Sequence, residues 1–193
     1  AKTLVNQGIT VEIFPSKEIK SSNKLVTLGI SKKNIDFFNK NILNVTKLLW
    51  DVNKIEIYSE NLKKEKMLNF EDNKKKLFSM IKNYQLKNLL IKKLNKSKLF
   101  KIKKNFDYID IMKNNYKLVF NCDYSHHITK KFFYKKINKN YKSCAYTTIV
   151  NHKKLANNNI ASQIFTKIGP IAFLPISSTE TSVVYSVKGK KKN

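Results

Sequence analysis

Few side chains in this 193-residue chain could do chemistry, and the first to consider is Asp123, which follows the apolar run Leu118, Val119, Phe120. Such a run reads as a strand buried on both faces, and ligands of α/β proteins gather where such strands end. A carboxylate there accepts hydrogen bonds from sugar-type hydroxyls. The bland alternative is that Asp123 caps the short helix expected after Ser125. His126 and His127 are adjacent, so on a helix they point in different directions and do not form the i, i+4 pair a metal needs. His152 falls in a polar loop. Cys122 and Cys144 stand without a CxxC pair or a His at metal-ligand spacing, which predicts two buried free thiols and no metal site. Glu71 and Asp72, among lysines, read as a solvated turn.

Composition narrows the partners. The formal net charge is +26, yet every one of the 39 basic residues is Lys. Arg is the residue suited to bidentate contacts with phosphate and guanine, so the charge does not predict specific nucleic-acid binding. Lys, Asn and Ile fill 84 of the 193 positions, as AT-rich coding would produce. A Lys-rich nucleic-acid-binding protein would expose aromatics on a basic face. Phe37, Phe38, Trp50, Phe106 and Phe120 instead sit in apolar periodic segments, which predicts core positions. The tail 188–193 reads as a solvated end. No apolar run approaches the roughly 18 residues of a spanning helix, and no signal-peptide pattern opens the chain, so a cytoplasmic protein is expected.

The elements that must position these residues are partly legible. A helix ending at Gly8, followed by a strand from Ile9 to Phe14, is the second half of a βαβ unit. Only seven residues precede Gly8, too few for the crossover, so the opening strand is expected to lie outside this chain. Ser31 caps a helix within 31–50, with Ile35, Phe38 and Ile42 on one face. "KIEIYSE" and "KMLNF" read as paired strands, and Tyr84 to Leu94 as an amphipathic helix. A strand at Phe106–Met112 turns at Lys113–Asn115 into the 118–123 run. After residue 138 the pattern becomes alternating β, in "CAYTTIV", "ASQIF", "IAFLPI" and "SVVYSV". The fold class is therefore α/β, with a loose boundary near residue 138 between a mixed α/β part over 1–137 and a β-rich part over 138–193.

The segment "ASQIFTKIGPIAFLPISSTETSVVYSV", residues 161–187, resembles the FAD-dependent aromatic hydroxylases of ubiquinone biosynthesis. These are flavoprotein monooxygenases with a para-hydroxybenzoate-hydroxylase-like fold. Gln163, Phe165, Gly169, Pro170, Ala172, Leu174, Pro175, Val184 and Tyr185 fill that family's Q-x-F, G-P-[LI]-A-x-L-P and S-x-V-W pattern. "LVFNCDYSHHITK" is similar to its Asp-Gly strand end, with Asp123 kept and Lys130 in the place of an Arg. Asn83 matches the centre of its Glu-Asn-Arg motif. Tyr124, Pro15, Val26, Lys82 and Tyr84 depart from the pattern, and the glycine-rich phosphate turn does not occur in the chain.

The resemblance implies an incomplete Rossmann-like FAD/NAD(P)-binding domain over 1–137 and part of a β-rich substrate domain over 138–193, with FAD as cofactor, NAD(P)H as reductant, and oxygen transfer to an electron-rich ring bearing a polyprenyl tail. It implies cofactor contacts at Asp123, Lys130 and Asn83. It places the substrate against Phe165, Gly169, Pro170, Ala172, Leu174 and Pro175. No residue is assigned as a catalytic acid or base. Implied partners are a polyprenyl-phenol and other ubiquinone-biosynthesis proteins, with peripheral contact at the inner membrane. Without the phosphate turn this chain alone is expected not to hold FAD. A relative without turnover that scaffolds a ubiquinone-assembly complex is the further alternative.

Overall fold

The computed structural model describes residues 1–15, 24–60, 65–71, 76–103, 111, 113–123, 127–133, 135, 137, 139 and 141–189. The chain divides into two units, one of Ala1–Ser22 with Lys93–Asn140, the other of Asn23–Lys92 with Tyr141–Asn193. This differs from the division expected at residue 138, which grouped 23–92 with the N-terminal part. The reason is a long-range strand pairing within the second unit.

In the first unit, α1 (Lys2–Asn6) ends before Gly8, whose φ of +77° is a conformation glycine adopts without a Cβ penalty. Strand β1 (Val11–Ile13) follows and pairs in parallel with β7 (Phe100–Ile102), so the expected order of helix, glycine and strand is observed. Val5, Leu94 and Phe100 form a small core with Val11, Ile13 and Leu99 around it. Tyr116 packs edge-on against Phe14, centroids 5.7 Å apart, and its hydroxyl donates to the Glu12 carboxylate. That bond pushes the phenol up to about 12, with burial acting in the same direction.

The second unit is layered. Helix α2 (Lys32–Asn41) starts at Ser31, whose Oγ accepts from the Asn34 N–H at 3.4 Å, as a cap should. It is shorter than the 31–50 segment, which continues through a 3-10 turn at Thr46–Leu48 into β3 (Trp50–Val52). Helix α3 (Asn83–Leu94) runs directly out of β6 (Phe78–Lys82). β2 (Thr27–Ile30), β6 and β3 form a three-stranded antiparallel sheet in the order β2-β6-β3. One face of it buries Ile30 and Ile81 with Ile35, Val45 and Leu86. The other presents Trp50, Val52, Phe78 and Met80 to a larger sheet.

That larger sheet has six strands in the order β5-β4-β9-β10-β11-β8. Its members are β4 (Lys54–Ser59), β5 (Lys66–Glu71), β8 (Ser143–Asn151), β9 (Ile160–Phe165), β10 (Pro170–Pro175) and β11 (Glu180–Lys188). The four C-terminal strands form where the alternation places them. The sheet is mixed, however, because β4 pairs in parallel with β9, from Lys54 opposite Ile160 to Ser59 opposite Phe165. Alternation specifies strands and does not specify their non-local partners.

Leu118, Val119 and Phe120 do not form the inner strand expected of them. They are irregular and 68%, 47% and 66% exposed. A strand needs a ladder partner as well as an apolar pattern, and among the described residues none pairs with them. Of the strand expected at 106–112, residues 104–110 and 112 lie outside the described residues, and Ile111 is helical and buried. The turn at 113–115 is present, with Asn115 at φ 45°. Helix α4 (His127–Phe132) forms after Ser125 as expected. Cys122 is exposed and Cys144 half-buried, so both are free but neither is buried. Phe37 and Phe120 are exposed instead of buried in the core, while Trp50 and Phe38 pack against it; Phe106 lies outside the described residues.

Candidate functional site

Side chains alternate along a strand, so the register of the six-stranded sheet sorts them into rows on one face. The innermost row includes Ile55, Ala161, Leu174 and Ile149, which pack against Trp50, Val52, Phe78 and Met80 of the smaller sheet, with Ser182 between Leu174 and Ile149 in register. The next row runs across all six strands as Leu68, Ile57, Gln163, Ala172, Val184 and Thr147. Beyond it Ser59 and Pro170 flank Phe165. These two outer rows are half-buried to exposed and mostly apolar. They form a largely apolar surface at the outer end of this face.

The six residues implied as substrate contacts occupy different places. Phe165, Pro170 and Ala172 share the outer rows. Leu174 is on the same face but one row further in, against the core. Pro175 has the opposite parity and is fully buried. Gly169 makes the turn between β9 and β10. Its N–H donates to Thr166 Oγ1 at 3.2 Å, and that hydroxyl donates to its carbonyl at 2.6 Å. Its φ is +156°, and a Cβ built on it would stand 1.9 Å from the Ser186 carbonyl oxygen. Only glycine lets β11 pass that close. Ile57 was not singled out by the sequence, because its membership of this surface depends on the β4–β9 pairing.

A polar seam closes the inner end of the same face. Thr27 Oγ1 donates to Ser182 Oγ at 2.9 Å, and Ser182 is fully buried. Lys82 Nζ donates to both oxygens of Glu180, at 2.8 and 2.6 Å. Ser177 Oγ also donates to Glu180, while His152 Nε2 lies 3.0 Å from the Oγ1 of Thr181, which pairs with Pro175 and so belongs to the opposite face. The Lys82 bond holds the Glu180 carboxyl below its ordinary range against the opposing effect of burial. In the sequence Lys82 stands out only as a departure from a motif, and His152 only as part of a polar loop. Glu180 lies 98 residues from Lys82, which no local pattern reveals.

The three residues implied as cofactor contacts are divided between the units. Asn83 opens α3 in the second unit, its N–H donating to the Val26 carbonyl at 3.1 Å. Asp123 and Lys130 belong to the first. The Asp123 N–H donates to Asn121 Oδ1, and its carbonyl accepts from Thr129 Oγ1 at 2.9 Å. Its backbone is thus tied to the start of α4 and does not end a strand. Lys130 is exposed on α4. A dinucleotide's pyrophosphate needs a glycine-rich turn delivering backbone N–H groups at a helix N-terminus. The chain's four glycines are isolated at 8, 29, 169 and 189, and among the described residues no strand leads through such a turn into a helix. The described residues do not by themselves fit FAD. Among them no cluster of His, Cys, Asp and Glu could hold a metal ion.

No family model matches the sequence, and neither does any curated protein. Solved structures do match. The fold is one that PqsL adopts. The Pseudomonas aeruginosa protein PqsL, a probable FAD-dependent monooxygenase, superposes with a TM-score of 0.68 at 12% identity, covering 97% of this chain and 56% of PqsL. A PqsL variant with four substitutions gives a TM-score of 0.69 with the same identity and coverage. This chain therefore spans about half the length of PqsL, and the likeness is one of backbone.

Proposed function

We propose that this chain is part of an FAD-dependent monooxygenase, and that its six-stranded sheet forms the wall that receives an aromatic ring. One observation carries the reading: nearly the whole chain follows the backbone of a probable FAD-dependent monooxygenase. The substrate class comes from the family likeness of residues 161–187, which supports a polyprenylated phenol hydroxylated in ubiquinone biosynthesis. FAD, when bound, supplies the oxygen-transfer chemistry, with NAD(P)H as reductant. This chain's own contribution is orientation. Phe165, Pro170 and Ala172 offer flat apolar surface to the ring, and Gly169 fixes the turn that aligns them. A polyprenyl tail would favour work beside the inner membrane, on its cytoplasmic side, near other ubiquinone-biosynthesis proteins. No helix among the described residues is long and apolar enough to cross a membrane.

A second reading is a non-catalytic relative that only shapes a ubiquinone-assembly complex. Flavin content separates the two. The full-length protein, expressed from its whole reading frame, is expected to purify with a flavin absorption spectrum or to gain one when FAD is added. A protein that stays colourless after that addition ends the monooxygenase reading.

A further inference from the structure

The outer rows of the six-stranded sheet carry one polar side chain at their centre, Gln163. Ile57 and Ala172 stand directly beside it on the neighbouring strands, and Ala161 and Phe165 lie two residues either way on its own. Among the described residues no group hydrogen-bonds its carboxamide. A carboxamide brings one acceptor and two donors, and methyl and phenyl surfaces satisfy none of them. The polar side chains further in on this face are treated differently. Ser182 is bonded to Thr27, and Glu180 to Lys82. Gln163 alone at the centre of the surface is left to meet whatever lies on it.

Ala172 is small and half-buried, and Phe165, 44% exposed, lies on the neighbouring strand one row further out, while Ala161 is buried in the core beneath the smaller sheet. A ring lying on Ala172 with its edge toward Phe165 would bring an oxygen substituent against the Gln163 amide, with aromatic contact on one side and aliphatic on the other.

We propose that Gln163 is the specificity-determining residue of this face, its Oε1 accepting a hydrogen bond from the hydroxyl of a phenolic ring held against Ala172 and Phe165. The assignment rests on the aromatic-hydroxylase reading above and adds to it which side chain selects for the ring oxygen. A phenol that pairs with Gln163 keeps the amide satisfied. The same ring without its hydroxyl buries the amide unpaired, which disfavours it.

The test uses the full-length protein and two probes, a 2-prenylphenol and the matching prenylbenzene, with affinities read by calorimetry. The protein is expected to bind the phenol about tenfold more tightly than the benzene. Q163M, of similar shape but without hydrogen-bonding groups, should reduce that ratio to near one by weakening the phenol and sparing the benzene. Q163E, which keeps an acceptor oxygen, should retain the preference, and unchanged melting temperatures show that both variants fold. If the phenol binds and the preference survives in Q163M, Gln163 is not the selector and the monooxygenase reading still stands. A flavin-loaded protein that binds neither probe overturns the assignment together with its substrate class. A protein with neither flavin nor ring affinity overturns the assignment and the monooxygenase reading together.

Discussion

At Gly169 the consequence of a single methyl group can be stated in advance. A Cβ there would sit 1.9 Å from the Ser186 carbonyl, which is backbone and cannot turn aside. Gly169→Ala is therefore expected to cost about 3 kcal/mol through strain and displacement of β11. Its denaturation midpoint against that of the unsubstituted chain is the measurement, and a change below about 0.5 kcal/mol would contradict the geometry. Glu180 gives a prediction with a sign. Its carboxyl is held below the ordinary value of 4.5 by Lys82, so the stabilisation is present above that pH and is lost as pH falls through the lower folded value. Glu180→Gln should be less stable than the parent by about 2 kcal/mol at neutral pH, with the gap closing as the pH drops below 4.5. Urea midpoints over a pH series read this directly. Glu56, also held low, chiefly by Lys66 at 2.5 Å, contributes equally to both proteins and cancels in the comparison.

Elements explain why some residues were legible and others were not. Ser31 and the spacing of Ile35 and Phe38 identify α2, because a cap and a 3.6-residue period are local signals. The four C-terminal strands are legible for the same reason. The run at 118–120 has the composition of a strand and fails as one, because its partner is a matter of tertiary structure. The smaller sheet also depends on packing. Met80 is 2% exposed between β6 and the large sheet, touching the core that holds Val52, Ala161 and Ile176. Met80→Ala should destabilise by about 2–5 kcal/mol, seen as an earlier unfolding midpoint. A surface change such as Lys92→Ala on α3 should move it by less than about 0.5 kcal/mol.

For the whole molecule the discontinuous second unit is decisive. Strand β4 belongs to a sheet whose other members, apart from β5, come from residues 143–188, so cutting the chain at 138 removes the parallel partner of β9. A chain of residues 138–193 is expected to lack the far-ultraviolet β signal and to be degraded at protease levels that spare the same residues in the intact chain. A folded, resistant 138–193 piece would show that the four C-terminal strands suffice alone. The charge acts at this scale too. A net +26 of lysines with no arginine gives a diffuse positive field, suited to loose, salt-sensitive attraction more than to base recognition.

The sequence by itself determined which segments could be helix or strand, the glycine stop at 8, the Ser31 cap and the family likeness of 161–187, since each is written in contiguous residues. The tertiary structure alone decided that β4 lies beside β9 and that Lys82 meets Glu180. It also decided that Leu118 to Phe120 stay outside any described sheet and that Gln163 is set among Ile57, Ala172 and Phe165. Those outcomes depend on pairings across roughly a hundred residues, where alternation fixes which face a side chain takes but not which strand stands next to it.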